Sequence, residues 1–335
     1  MSRAQLTSTV EQNTGGAVAP YVAGKNAVIN GGMDIWQRGT SGSALIGTQF
    51  YSADRMFVYS GSNVTATQDT SVLAPGARYS LKCVASATQQ IFLTQVIETA
   101  NAIQFAGQTV TLSCYVAGTS GNTNNINVSL QYSTTVDAPR LDASYTSITA
   151  SVAGNILMTT SMQKVSATFV VPSNAKSLQI FIGNNAVNYT SGQGVYYGNV
   201  QLELGSVATP FSRAGGTLQG ELALCQRYYF RTNQAGNSTT YAVGHCESTT
   251  VAIFPVPLPV PMRTLPASMD YAGLRVYSGS TVGTTGTFVY TSAYSTTTNA
   301  SVLYTHGSLL FTAGYAAELD NANTGAAYLG FSAEL

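Results

Sequence analysis

Charge is what this chain lacks most. Only 14 basic and 14 acidic residues occur among 335, which is 8% of the total, against about 25% in an ordinary soluble domain. The formal net charge is zero, and the Lys and Arg residues are scattered singly from Arg3 to Arg275. Binding nucleic acid by phosphate neutralisation needs clustered basic residues, so that partner is not expected. Heptad seams flanked by charge are missing as well, and 32 glycines oppose helix, which excludes a long coiled-coil shaft. No membrane insertion is expected, because the most apolar stretch, Val251 to Met262, is interrupted by four prolines. Met1 to Lys25 carries no basic segment followed by an apolar run, so no secretory signal is expected.

Cysteine and histidine are equally sparse. The four cysteines, Cys83, Cys114, Cys225 and Cys246, have no C-x-x-C spacing, so neither a zinc nor a redox motif is present. Cys83 shares the phase of Tyr79 and Leu81, and Cys114 that of Val110, Leu112 and Val116. Both read as buried core thiols of a chain folded inside the cell, with a Cys83–Cys114 disulfide as the open alternative. A Ser-His-Asp or Cys-His site would have to use His245 or His306, the only two histidines, and no G-x-S-x-G elbow accompanies them. In His245-Cys246-Glu247, neighbours on a strand point to opposite faces and cannot jointly hold one ion. No catalytic residue, metal ligand or cofactor is therefore assigned. A two-carboxylate glycosidase stays formally open, since such pairs are set by distance in space.

What the chain has is hydrophobic residues, 44%, with polarity from Ser, Thr, Asn, Gln and Gly. From Asn26 to about Arg213, period-two segments recur between turn clusters. Val110, Leu112, Cys114 and Val116 alternate with Thr111, Ser113 and Tyr115, and Ile126, Val128, Leu130 and Tyr132 behave alike. Val165, Ala167, Phe169 and Val171 precede the turn Pro172-Ser173-Asn174, and Leu178, Ile180 and Ile182 follow. Strands with one apolar and one polar face belong to antiparallel sheets packed on one side, and two such sheets make a sandwich. Leu218, Leu222, Cys225 and Tyr229 then follow helical spacing behind a Thr217 cap. Alternation returns at Thr287 to Thr291, Leu309 to Ala313 and Tyr328 to Ala333. The expected fold is all-β: an extended arm over 1–25, a jelly-roll β-sandwich over 26–213, a linking helix within 214–230, and a second, smaller β domain over 231–335.

Three local features have bland readings. Prolines at 255, 257, 259 and 261 delete the N–H donors along one edge of an extended segment, which suits an edge strand better than a free Pro-rich ligand. Asp320-Asn321-Ala322-Asn323-Thr324-Gly325 departs from the EF-hand order and reads as an Asx-type turn rather than a calcium loop. Gly192-Gln193-Gly194 reads as a turn, with no helix pattern behind it. The 20 tyrosines suit glycan stacking and subunit contacts alike, and much of this set is ordinary cross-strand packing.

A conjunction of motifs adds to this. Asn26-Ala27-Val28-Ile29-Asn30-Gly31-Gly32-Met33-Asp34-Ile35-Trp36-Gln37-Arg38-Gly39 and Tyr51-Ser52-Ala53-Asp54-Arg55-Met56-Phe57 resemble bacteriophage and prophage virion proteins carrying a carbohydrate-binding-module-like jelly roll. Gly198 to Ser206, Ala208-Thr209-Pro210-Phe211, the helix around Glu221 to Tyr229, Val260 to Arg263 and Leu329 to Leu335 are similar to later parts of the same pattern. Met56 stands where Trp is frequent, and Asn199 where an acidic residue is common, so a structural ion at that strand junction is not carried over.

The resemblance implies a non-enzymatic virion protein, tail-fibre-like, with a capsid head-fibre or decoration protein as alternative and a glycan-cleaving enzyme as a further one. It also implies a homotrimer that docks on other virion proteins through residues 1–25 and offers a surface for host glycan. Asp34, Arg38, Asp54 and Arg55 read as local ion pairs. The single Trp36, in the phase of Asp34, reads as packing over a sheet edge, with a sugar platform as its functional alternative.

Overall fold

A computed structural model describes residues 24–44, 50–61, 63–122, 124–152, 154–183, 188–233, 239–308, 310–321 and 327–335. The arm over 1–25 lies outside the described residues except for Gly24 and Lys25. The chain forms two compact units, one running to Glu221 and including Leu335, the other Leu222–Glu334.

The first unit holds two seven-stranded antiparallel sheets. One orders Ser41–Ala44, Val64–Asp69, Ser80–Ala85, Gly194–Leu204, Thr109–Gly118, Gln163–Val170 and Ala150–Val152. The other orders Asn155–Leu157, Asn125–Ser133, Ser177–Gly183, Ile91–Ile97, Phe57–Ser60 and Phe50–Tyr51, with Thr146–Ser147 also pairing on Asn125–Ser133. Between them Leu112, Cys114 and Val116 from one inner face share a core with Leu130, Ile180 and Ile182 from the other. Each such Leu or Ile contributes about 1.5–3 kcal/mol by leaving water. This is the expected jelly-roll β-sandwich, and Cys83 and Cys114 are free and fully buried within it.

The strands are not packed on one side only. Thr111 and Ser113, on the polar phase, are each 2% exposed. The chain beyond the last strand covers them: Thr111 Oγ1 donates to the Gly205 carbonyl at 2.8 Å. The opening turns also lie against this last strand, where Ala27 N–H donates to the Leu202 carbonyl at 2.9 Å and Val200 N–H to that of Gly31 at 2.9 Å. Short polar side chains tolerate such cover because backbone carbonyls and amides satisfy them.

The helix spans Leu218–Gln226. Thr217 caps it as expected, its Oγ1 accepting the Gly220 N–H at 3.0 Å.

In the second unit a three-stranded sheet orders Tyr229–Asn233, Tyr328–Ser332 and Ser268–Ala272. A seven-stranded sheet orders Thr281–Gly283, Leu274–Ser278, Ala316–Asn321, Thr240–Cys246, Val251–Pro257, Asn299–Thr305 and Thr287–Thr296. Leu329 and Phe331 of the smaller sheet share a core with Phe254, Val276, Tyr304 and Leu319 of the larger.

Two expectations need correction here. The proline segment is not an edge strand throughout: Val251–Pro257 is interior, paired along its whole length with Asn299–Thr305 and at Ala252 and Ile253 with Cys246 and His245. The second partner is already absent at Phe254, and through Pro255, Val256 and Pro257 the segment pairs on one side only, as expected of an edge where prolines remove the other donors. The strand ends at Pro257. Leu310 to Ala313 is not a strand despite its alternation, because the N–H groups of Leu310 and Phe311 both donate to the Thr249 carbonyl, at 2.9 and 3.0 Å. Leu309 lies outside the described residues.

Candidate functional site

The sequence-marked residues of the first unit sit in the opening turns, where three amides organise the backbone. Asn26 uses all its hydrogen-bonding capacity: Nδ2 donates to Val200 and Ser212 carbonyls at 3.0 and 3.1 Å, and Oδ1 accepts from Val28 and Leu202 N–H at 2.9 and 3.1 Å. Asn30, at φ 59°, donates to Ile35 and Asp54 carbonyls, each at 2.9 Å. Gln95 from Ile91–Ile97 accepts from Ile29 N–H and donates to its carbonyl, both at 2.8 Å. None of these amides was assigned a role from the sequence; a buried Asn that must adopt a left-handed backbone gives no periodic signal.

The five signature residues do not converge on one site. Asp34 pairs with Arg213, Nε to Oδ2 at 2.7 Å. Asp54 pairs with Arg38 at 3.8 Å and accepts the Gln37 N–H at 3.1 Å. The Arg38 guanidinium also lies 4.7 Å from the Tyr51 ring centre. Arg55 donates to the Val96 carbonyl at 2.8 Å. Trp36 is half-buried against the sandwich core, and its indole N–H donates to the Met33 carbonyl at 2.6 Å. Residues around Trp36 form turns rather than a strand, so the two-residue phase that grouped it with Asp34 does not operate.

Beside Asp34 lies a pocket of about 230 Å³ lined by Gly32, Pro75, Tyr115, Asn199, Phe211 and Arg213, among others. Glu221, at the start of the helix, is 1% exposed. Its Oε1 accepts the Asn30 N–H and its Oε2 the Gly215 N–H, the latter at 2.7 Å. Burial raises its pKa above the ordinary carboxyl value, and the two N–H donors pull back against that.

A different chemistry occupies the outer face of the second sheet. Tyr59 and Phe92 are direct cross-strand partners, their rings 6.2 Å apart and inclined at 29°. Phe181 continues the row, 4.5 Å from Phe92. The Phe92 ring can lie flat because its opposite residue is Gly183: a Cβ there would stand 2.2 Å from Phe92 Cδ1. Tyr59 is 37% exposed. Tyr59 and Phe92 border a groove of about 250 Å³ that Gly61, Thr88, Gln89, Gln90 and Asn188 complete. Rings beside amides and hydroxyls, with no charge among the described lining residues, can stack on an apolar ring face and exchange hydrogen bonds with its rim. The sequence signal was thin: these residues come from separate strands and a loop, and only tyrosine abundance pointed their way.

In the second unit, Asp320 holds Arg275 through two bonds, 2.7 Å to Nε and 3.0 Å to Nη2. It is 2% exposed, and its two carboxylate oxygens are both engaged by that guanidinium. Residues 322–326 of that loop lie outside the described residues. His245 is exposed on its strand, while His306 Nε2 lies 3.1 Å from Thr285 Oγ1. Among the described residues no group of three His, Cys, Asp or Glu side chains could hold a metal ion, and no helix is long and apolar enough to cross a membrane.

No family model and no curated protein matches this chain. Solved structures similar to parts of it include the enzymatically active domain of tailspike protein 4 of bacteriophage CBA120, at 19% identity and a TM-score of 0.35, covering 56% of this chain and 22% of that one. The C-terminal family 22 carbohydrate-binding module of Clostridium thermocellum Xyn10B is 13% identical with a TM-score of 0.33, covering 45% of this chain and 88% of the module. TmCBM61 in complex with β-1,4-galactotriose is 10% identical with a TM-score of 0.32, covering 54% and 99%.

Proposed function

We propose that this chain is a non-enzymatic structural protein of a bacteriophage particle, a tail-fibre-like component that docks through residues 1–25 and holds host surface glycan on its β-sandwich. The observation that carries the glycan reading is the exposed Tyr59 ring, backed by the buried Phe92 and the half-buried Phe181, beside Gln89, Gln90 and Asn188. The virion reading rests on the motifs at 26–39 and 51–57. A role without bond cleavage fits the carboxylates: Asp34, Asp54 and Asp320 are engaged with arginines, Glu221 with backbone N–H groups, and none borders the aromatic groove. Assembly as a homotrimer follows from the same motif resemblance and gives Tyr-rich, weakly charged flanks a partner.

Gold-labelled antibody on purified particles tests this directly, with label at fibre tips as the expected result. Label confined to the capsid shell would favour a decoration protein, and particles without the polypeptide would end the virion reading. Light scattering of the purified chain should give the mass of three copies. Release of sugar from host polysaccharide would overturn the non-enzymatic assignment.

A further inference from the structure

The outer face of the larger sheet in the second unit is apolar where a sheet packed on one side is ordinarily polar. Its inward positions Ala252, Phe254, Val302 and Leu319 belong to the core. The outward positions form one paired row across five strands: Val289 opposite Leu303, Leu303 opposite Ile253, Ile253 opposite His245, and His245 opposite Ala316. Val289 is 41% exposed, and Val243, one outward step along the strand from His245, is 64% exposed. His245, Pro255 and Ala316 are exposed as well. Tyr294 belongs to the same surface: its carbonyl accepts from the outward Ser301 at 2.7 Å, its hydroxyl donates to Glu247 at 3.3 Å, and it stays 55% exposed. Around the row, Arg275 is closed on Asp320, and Glu318 accepts from Thr240 Oγ1.

We infer that a second copy of this chain covers this face. The inference rests on the homotrimer reading above and adds the surface through which copies meet. Seven strands about 4.8 Å apart and about 20 Å long give the face roughly 600 Å². In a threefold ring each such face meets a different flank of the next copy. Each contact then buries roughly 1,200 Å² in total, the lower bound of a specific interface. Monomers seldom leave so wide an apolar surface open to water. The sheet edges offer no competing route: one edge is the three-residue strand Thr281–Gly283, and the other, Thr287–Thr296, shifts register between Thr291 and Thr296. Short and bulged edges resist strand addition. The row itself holds no Asp, Glu, Lys or Arg, so the flank of a chain this poor in charge matches it better than a charged partner does.

Analytical ultracentrifugation of the full chain, with Val243→Glu and Val289→Lys beside it, tests this. Val136→Glu, at a 59% exposed position of the first unit, is the control. The expected result is an assembly that Val136→Glu leaves intact and that both face variants weaken at least about tenfold in dissociation constant. If the charged variants melt too early to compare, thiol labelling decides. The four native cysteines are buried, so Val243→Cys and Val136→Cys each present one reactive thiol, and assembly should slow the first at least about tenfold relative to the second. Face variants that assemble like the wild type, or labelling of Val243→Cys as fast as that of Val136→Cys, overturn the inference and leave the homotrimer reading standing. Dimers split by Val243→Glu uphold the face and correct the number of copies. A wild-type chain that stays monomeric at micromolar concentration removes both.

Discussion

Asp34 and Arg213 stand 179 positions apart and meet at 2.7 Å, which ties the opening turns of the sandwich to the chain just beyond its last strand. The Asp34 side chain is 2% exposed and that of Arg213 22%. Replacing Arg213 by Leu would strand a buried carboxylate, and the expected loss is about 3 kcal/mol, the low end for a broken buried pair because the arginine is partly wetted. Urea unfolding measures it, and Asp34→Asn in the same chain should return part of the loss. A change below about 1 kcal/mol would mean that the pair behaves as a surface contact.

Glu221 makes stability depend on pH in a definite direction. Burial raises its folded pKa above the ordinary value of 4.5, so the folded chain holds the proton more tightly than the unfolded one. Its contribution is complete below about pH 4.5 and is lost as pH rises through the folded value, by at most about 1.4 kcal/mol per pH unit. Relative to Glu221→Gln, the wild-type chain should therefore lose stability across that window. Parallel melting curves for the two proteins from pH 4 to 8 would contradict this.

Tyr197 is fully buried and its hydroxyl has no partner. Burial pushes its pKa well above the usual phenol value. Tyr197→Phe removes an unsatisfied donor and leaves the ring, so it should raise stability by about 1 kcal/mol. The chemical-denaturation midpoint reads this, and a fall would reveal a partner for the hydroxyl.

Gly183→Ala would place a methyl 2.2 Å from Phe92 Cδ1 and 2.7 Å from the Ile91 carbonyl oxygen. The ring has to move, at a cost of about 1–3 kcal/mol. Stability and glycan retention should fall together in this variant. Retention unchanged in a destabilised protein would separate the Phe92 ring from the binding surface.

Periodicity made the sandwich strands readable, because Val110 to Val116 and Leu178 to Ile182 repeat with the pleat itself. The helix was equally plain from Thr217 and the spacing of Leu218, Leu222 and Cys225. Periodicity misled where backbone donors go elsewhere, as at Leu310 and Phe311, whose N–H groups both turn to Thr249. It failed for Trp36 because turns have no two-residue phase. The aromatic groove was barely legible beyond the abundance of tyrosine: Tyr59 and Phe92 meet by strand pairing, Gln89 bridges to Tyr189, and the Phe92 ring lies where a side chain is missing at Gly183.

The chain enters and leaves the sandwich side by side, with Gly24 N–H on the Ala214 carbonyl at 3.0 Å and Asn26 reaching Ser212. A pull applied between the arm and the helix would load this short clasp and bypass the strands between residues 41 and 204. Asn26 holds it with an amide that neither acid nor salt can discharge. The two sheets of the sandwich would then hang beside the line of force as a pendant, free to keep their shape under tension.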